Sequence, residues 1–489
     1  MTDIMTVNSN SKEIFGEITF GESCIFDVAD GEKIICAAAR SSVNSYEALN
    51  GEFRVSVKTI FSAVFFGEDY EVKERTVESV KTVTGDGITP ASIGVFCATT
   101  SDCAVSKSGK ASANVTLSGY YIKENVISYL NNEIEGIHCR TMQSTVENVV
   151  TFLSSLSLTH SDEARMPVKK ILDCHPIVTV NNIYPAEGSF RVEGELNVRI
   201  VALTDNKEFL TQTFTHPFGT EVGMEACSPD KNIDVEGTVT KCELTLTDGD
   251  ARIIISDTEI AFLSTFTEKK EINGVIDCYS TDVEITAEYS SANIASAFCI
   301  RSVKGKAVGV VACDSEITEL YCAIYPNANA SAVIRDGGVY IEGLLNANIL
   351  YSDENNLPAS INAEIPFSIE MDKESLCSDA LLPTVVVSGT SVRLKTGRDV
   401  EISADLYATL RGSVKTDLRL ISAVTRGDKK PEDDYAISLY IVKPNEDLWD
   451  VAKALNTDED TLLKLNPDLK LPLAGGEKVL IYKELLFNM

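Results

Sequence analysis

Four histidines, His138, His160, His175 and His216, are the only imidazoles in the chain, and no two lie at the spacing of a zinc-binding motif. A zinc hydrolase has no ligand set here. Ser106-Lys-Ser-Gly-Lys-Ala-Ser112 has the outline of a phosphate-binding loop. It lacks the first glycine, however, and alanine follows Gly-Lys where a hydroxyl would have to bind magnesium. It reads as a hairpin turn. Cys174-His175 sets a thiol beside an imidazole, as a cysteine nucleophile requires. The thiol has repeat counterparts in Cys36 and Cys313 and the histidine has none, so core packing explains it better. With 73 carboxylates, close acid pairs arise by chance and none marks a glycosidase. No catalytic constellation emerges, and the expectation is a non-enzyme without cofactor.

The 13 cysteines include no Cys-x-x-Cys, and their number is odd. Most recur at similar intervals: Cys36, Cys174 and Cys313; Cys103 and Cys242; Cys139 and Cys278; Cys227 and Cys377. A free cysteine behaves as a small buried hydrophobe, so neither metal nor disulfide is expected. The net charge of −30 disfavours nucleic acid and anionic membrane surfaces as partners. The first ten residues have no basic or apolar leader region, and runs such as Ala307–Ala312 are too short to span a bilayer. A cytoplasmic location without membrane insertion is the expectation.

The elements that would carry such a chain are strands. From Phe190 to Ala202, apolar residues keep one parity (Phe190, Val192, Leu196, Val198, Ile200, Ala202) and polar residues the other. That is the period of a strand. The pattern recurs at Phe53–Val57 and Gly338–Leu350, which divides the chain into β repeats at 1–137, 138–276 and 277–428. The fold class expected is mainly β: three tandem β-sandwich-like domains followed by a small βααβ domain. Turns are expected at Gly109, at Asp248-Gly249-Asp250 and at Thr396-Gly397-Arg398. Near-helical spacing of Val126, Ile127, Leu130 and Ile134 suggests a short helix within 121–135. The small polar run 325–332 reads as a loop insertion. Joints near 133–136 and 271–274 have no flexible linker and suggest a stiff rod. The charged run from Arg426 to Asp434 reads as solvated, with the linker proper at 429–437.

The period changes after the linker. Leu439–Val442 is strand-like, and Leu448, Val451, Ala452 and Leu455 form one helical stripe. Thr457 or Asp458 can cap a second helix with an acidic first turn, Pro467 stops it, and Lys478–Tyr482 closes as a strand. This order, with Tyr440-Ile-Val-Lys-Pro-Asn-Glu-Asp-Leu-Trp449, Leu462-Leu-Lys-Leu-Asn-Pro467 and Gly476-Glu-Lys-Val-Leu-Ile481, resembles a LysM domain across 438–485. The resemblance implies binding of N-acetylglucosamine-containing glycan, peptidoglycan above all. The implied groove residues are Asn445, Glu446, Asp447, Leu448, Asn466, Pro467, Asp468 and Leu469. LysM domains usually carry Gly-Asp-Thr where Asn445, Glu446 and Asp447 stand. The last exchange swaps a hydroxyl donor for a carboxylate, so weak glycan binding and docking mainly on a protein are expected. Trp449, the sole tryptophan, reads as packing within the module.

Three β repeats before a LysM domain, with Val192-Glu-Gly-Glu-Leu196 and Val275–Glu284, resemble the SPOCS-repeat proteins of spore-forming Firmicutes, most of all the clostridial SipL-like spore coat morphogenetic type. That resemblance implies a structural adaptor in coat assembly at the forespore surface, in the mother-cell cytoplasm, with a SpoIVA-like ATPase as partner. The alternative is a cell-wall glycan-binding protein not tied to sporulation.

Overall fold

The computed structural model describes residues 4–67, 71–86, 89–131, 134–206, 208–247, 250–371, 380–431 and 437–482. The first unit holds β1 (Ile4–Ile14), β2 (Ile18–Ile25), β3 (Lys33–Ala48), β4 (Glu52–Phe66), β5 (Val72–Asp86), β6 (Ile93–Val105) and β7 (Lys110–Leu130). The second holds β8 (His138–Glu163), β9 (Val168–Ala186), β10 (Ser189–Thr204), β11 (Phe209–Gly223), β12 (Ile233–Thr247) and β13 (Asp250–Tyr279). The third holds β14 (Val283–Ala312), β15 (Glu319–Arg335), β16 (Gly338–Ser352), β17 (Pro358–Met371), β18 (Ala380–Leu394) and β19 (Asp399–Lys429). A final module has β20 (Ile437–Ile441), α1 (Leu448–Ala454), α2 (Glu459–Leu465) and β21 (Lys478–Tyr482). The protein is mainly β, as its alternation demands.

Each unit repeats one topology. Its middle strands form an antiparallel meander: β3-β4-β5, β9-β10-β11 or β15-β16-β17. Its outer strands form a second sheet with the last strand at the centre, as in β12-β13-β8 and β14-β19-β18; in the first unit β7 pairs β1, β2 and β6. The two sheets face each other and bury the apolar parity between them. In the second unit, Phe190 and Val192 of β10 meet Ile260, Phe262 and Phe266 of β13. Full burial of each such side chain contributes about 1.5–3 kcal/mol.

Lys107–Gly109 is a hairpin turn, as expected. Gly109 has φ +86° and lies against the Phe26 carbonyl, 2.3 Å from where a Cβ would stand, so no other residue fits without movement. Thr396–Arg398 also connects two paired strands, β18 and β19; Asp248 and Gly249 lie outside the described residues.

Four expectations are corrected. The helix within 121–135 is absent because β7 continues to Leu130, paired along its length with β1. Ile127 is buried and Val126 is 60% exposed, the alternation of a strand. Nor is 325–332 a loop. It lies inside β15, where the register shifts between Ile324 and Asn327 and Tyr325 takes φ +54°, a bulge within the strand. The charged run is exposed at Arg426–Lys429, as expected, but these residues are the end of β19 and not a linker, and the Lys430 amide donates to the Asp282 carbonyl at 2.9 Å. Of the linker 429–437, residues 432–436 lie outside the described residues.

The fourth correction is the rod. The three units close into a ring, and the meanders meet at one apolar cluster of Cys36 and Val64, Leu172 and Val201, and Cys322 and Leu350. The outer sheets meet at another, with Val7, Ile127, Val146, Ile272, Leu418 and Leu420. Short joints allow a rod, but the second face of each meander is apolar near its end. Val201 and Leu203 lie on the parity opposite to Phe190 and are buried, because that face turns to the ring centre. Main-chain carbonyls at corresponding places are capped in turn around the ring. Arg40 donates to Cys174 O at 3.1 Å, Arg199 to Ala323 O at 2.6 Å, and Asn348 to Ala37 O at 3.4 Å. Arg40 also holds Asp173 through two bonds, of 2.6 and 3.1 Å. A second buried ionic knot joins all three units, with Glu236 accepting from Tyr120 and Arg411.

The ring redraws the cysteine equivalences. Cys36 faces Val64, Cys322 faces Leu350, and Asp173 faces Val201. Cys322 is therefore the counterpart of Cys36, and Asp173 takes the place in the second unit; Cys174 is one residue off and Cys313 precedes β15. Cys139 and Cys278 are direct partners across β8 and β13 rather than repeat equivalents. Cys377 lies outside the described residues. The described cysteines are free, and burial pushes the Cys36 and Cys103 thiols up, Cys103 to about 12. We expect close to 13 titratable thiols in denatured, non-reduced protein. A count lower by two or more would overturn the reading of these cysteines as core residues.

Candidate functional site

The terminal module is built from its capping residues. Asp447 is the N-cap of α1, accepts from the Asp450 amide, and shares a capping box with that residue. Asp458, rather than Thr457, caps α2 and accepts from the Thr461 amide at 2.7 Å. Each cap satisfies an amide that the helix leaves unpaired, worth about 1 kcal/mol. The helices pack Val451, Ala452, Leu455 and Leu462 against Val479 and Ile481 of the β20–β21 hairpin. Asn445 supplies the left-handed turn before α1, with φ +66°, a conformation asparagine tolerates.

The expected groove residues divide by role. Asp447 and Leu448 line a groove of about 450 Å³. Glu446 is turned away from it, accepting from the Tyr440 hydroxyl at 2.9 Å and the Lys443 amide at 2.8 Å. Asn466 is a brace: its amide group donates to Leu462 O and Leu480 O, and its Oδ1 accepts from the Leu480 amide. Pro467 and Asp468 are exposed outside the groove, and Leu469 packs toward the module's core. The other wall is Leu471, Pro472 and Leu473.

Two lining residues come from the ring: Cys139 and Arg140, on β8. Arg140 pairs with Asp447 at 2.7 Å. Burial pushes the Asp447 carboxyl up, but the Asp450 amide and the Arg140 guanidinium outweigh it and hold the carboxyl below its ordinary range. Glu459, on the floor, is pushed up by burial and by the Asp447 charge. The groove thus offers an apolar wall, one ion pair and one carboxyl with raised proton affinity.

The module is fastened to the ring beside this groove. Trp449, 7% exposed, meets Tyr279 edge-on at 4.9 Å, and its Nε1 donates to Asp277 at 2.9 Å. Lys453 reaches the same carboxylate at 2.7 Å. Tyr279 donates to Thr457 O at 2.8 Å, and Asn456 bridges to Thr281 O. Burial raises the Asp277 carboxyl, but the Lys453 and Trp449 hydrogen bonds prevail and lower it. The tryptophan packs across a boundary, not only within the module. Nothing in the sequence pointed to Arg140 or Asp277, which reach the module only through the tertiary fold.

A βααβ module with a groove between the loop entering its first helix and the loop leaving its second is the architecture of a LysM domain. Residues 440–473 match the LysM domain family. No curated protein and no solved structure matches the chain. The match supports a role in binding glycan, peptidoglycan included. Among the described residues, no helix is long and apolar enough to cross a membrane.

Proposed function

We propose that this protein is a non-enzymatic structural adaptor in spore envelope assembly, in which the β ring is the scaffold and the LysM domain the docking module. One observation carries the reading: the module is bonded to the ring through Asp277 and Tyr279, and the ring lends Arg140 to its groove. Glycan capture and protein scaffolding then belong to one body. On this reading the repeats at 1–137, 138–276 and 277–428 are SPOCS-like domains. The partner is a SpoIVA-like coat ATPase, and the site of action is the forespore surface facing the mother-cell cytoplasm. Pull-downs from sporulating cells with the full chain and with a chain lacking residues 436–489 test it. Recovery of a coat ATPase by the full chain supports the adaptor. Recovery of wall material alone favours a glycan binder not tied to sporulation.

The groove chemistry gives a separate expectation. Asp447 brings a carboxylate where a sugar hydroxyl or a peptidoglycan peptide carboxylate would sit, and it occupies Arg140. Replacing Asp447 with threonine keeps a capping hydroxyl and frees the guanidinium for an acceptor on the ligand. In sedimentation with purified peptidoglycan, full-length Asp447→Thr should be retained about 3- to 10-fold better, as expected for one charge-assisted hydrogen bond in a half-exposed site. Tight binding by the unmodified chain, with no gain in the variant, would overturn this account of the groove.

A further inference from the structure

The ring has three interfaces, and they are not equal. At the place where the second unit presents Arg199, 3% exposed, to the third, the third presents Asn348 to the first. The shorter side chain does not fill the interface. A cleft of about 440 Å³ remains between β3 and β6 on one side and the β15–β16–β17 face on the other. That is within the size range of small-ligand pockets.

The face is unusual for a sheet. Asn327 stands opposite Asn346, Asn346 opposite Glu364, and Asn348 opposite Asn362. Asparagine is disfavoured in strands, so four on adjoining strands weaken the sheet that carries them. The other units do not share the arrangement. The positions of Asn346, Asn348 and Asn362 are held by Asn197, Arg199 and Thr213 in the second unit, and by Ile60, Ser62 and Thr76 in the first. Asn346 has a counterpart in Asn197, but the facing pair Asn348 and Asn362 is a property of this one cleft, not of the repeated fold.

Part of the amide capacity closes the interface. Asn329 donates to Thr100 O at 3.0 Å, as does Asn327, and Ser360 donates to Ile35 O at 2.6 Å. These bonds cap the carbonyls of the β3 and β6 edges, so an added peptide strand would find them occupied. The rest is open. The Asn346 side chain makes no hydrogen bond among the described residues, and the Asn362 side chain donates only to Glu364, at 3.2 Å. The opposite wall runs along β3 at Ala37–Ala39, where the Ala37 and Ala39 side chains turn into the first unit's core and Ala38 lies on the other face. Among the described side chains, no lysine or arginine lines the cleft and Glu364 is the one carboxylate, which disfavours anions.

We propose that this cleft binds an uncharged oligosaccharide. Carboxamides both donate and accept without charge, which matches the hydroxyls of a sugar. The small residues along β3 let a sugar ring approach this wall closely. The site is separate from the LysM groove and stands whether or not the adaptor reading holds.

The test is calorimetric titration of the full chain with cellotetraose, maltotetraose and chitotetraose, for the parent, for Asn346→Leu/Asn362→Leu, and for Leu471→Asp in the LysM groove. At least one sugar should bind the parent and lose about tenfold in affinity in the double variant, the equivalent of one or two hydrogen bonds. Leu471→Asp should leave that binding unchanged. If the double variant fails to fold, Asn362→Ala, at an exposed position, should still weaken it. Absence of binding by all three sugars, indifference to the cleft variants, or loss only with Leu471→Asp would overturn the proposal.

Discussion

Replacing Arg40 with alanine should cost about 3–5 kcal/mol of stability, the penalty for stranding a buried charge. Its partner Asp173 has a side chain only 3% exposed and receives both guanidinium bonds across the interface of the first and second units. The same substitution uncaps Cys174 O. Denaturant midpoints should fall accordingly. The paired change Arg40→Met/Asp173→Leu should recover most of the loss, because it removes both charges rather than one. A loss below about 1 kcal/mol in the single variant would mean that water reaches Asp173.

The same neighbourhood should make the ring acid-sensitive. Burial, reinforced by Arg40, pushes His175 down to about 4. Burial raises Asp173, but Arg40 prevails and holds it below its ordinary range. Both bind protons more readily once unfolded: the His175 contribution is full above pH 6.5 and declines as pH falls toward 4, and that of Asp173 is lost only below its ordinary 3.8. Glu74, raised to about 7 by burial, works the other way between 4.5 and 7 and offsets part of the slope. His175→Gln should therefore flatten the acid limb, and denaturant midpoints measured across this range would read it.

Asp277→Ala should loosen the LysM domain from the ring without unfolding either. Asp277 accepts from Trp449 and Lys453 together, and hydrogen bonds to a charged group are worth about 1.5–3 kcal/mol each. With the Lys453 pair discounted because that side chain is 42% exposed, losing them should shift the docking equilibrium about 10- to 100-fold. The readout is direct, since Trp449 is the only tryptophan in the chain and its indole lies against Tyr279. Emission should move to the red and gain quencher access, while the strand signal in circular dichroism holds. An unchanged spectrum would show that Tyr279 and Asn456 suffice to hold the module.

Much of this architecture was legible in the residues. Alternation over Phe190–Ala202 dictates a strand because side chains two apart share a face. Asp447, Asp458 and the Leu448–Leu455 stripe dictate two short helices because caps and periodicity are local properties. Gly109 marks its turn for the same reason. In the groove, Asp447 and Leu448 could be named from the motif, because the loop before a capped helix has few ways to run.

Other features depended on residues far apart in the chain. The spacing of Val126, Ile127, Leu130 and Ile134 fits a helix as well as a strand, and only pairing with β1 decides between them. Cys313 matches Cys36 by interval, yet it precedes β15, and strand pairing makes Cys322 the counterpart. Val201 looks like a residue on the wet face until the other units cover it. Arg140 and Asp277 look like ordinary surface charges, and they meet Asp447 and Trp449 because the ring closes and brings the module back onto it. Local patterns determined the strands, helices and turns, since their energetics involve near neighbours. The ring, its unequal interfaces and the composite groove were decided by tertiary packing, since the contacts that stabilise them join residues more than a hundred positions apart.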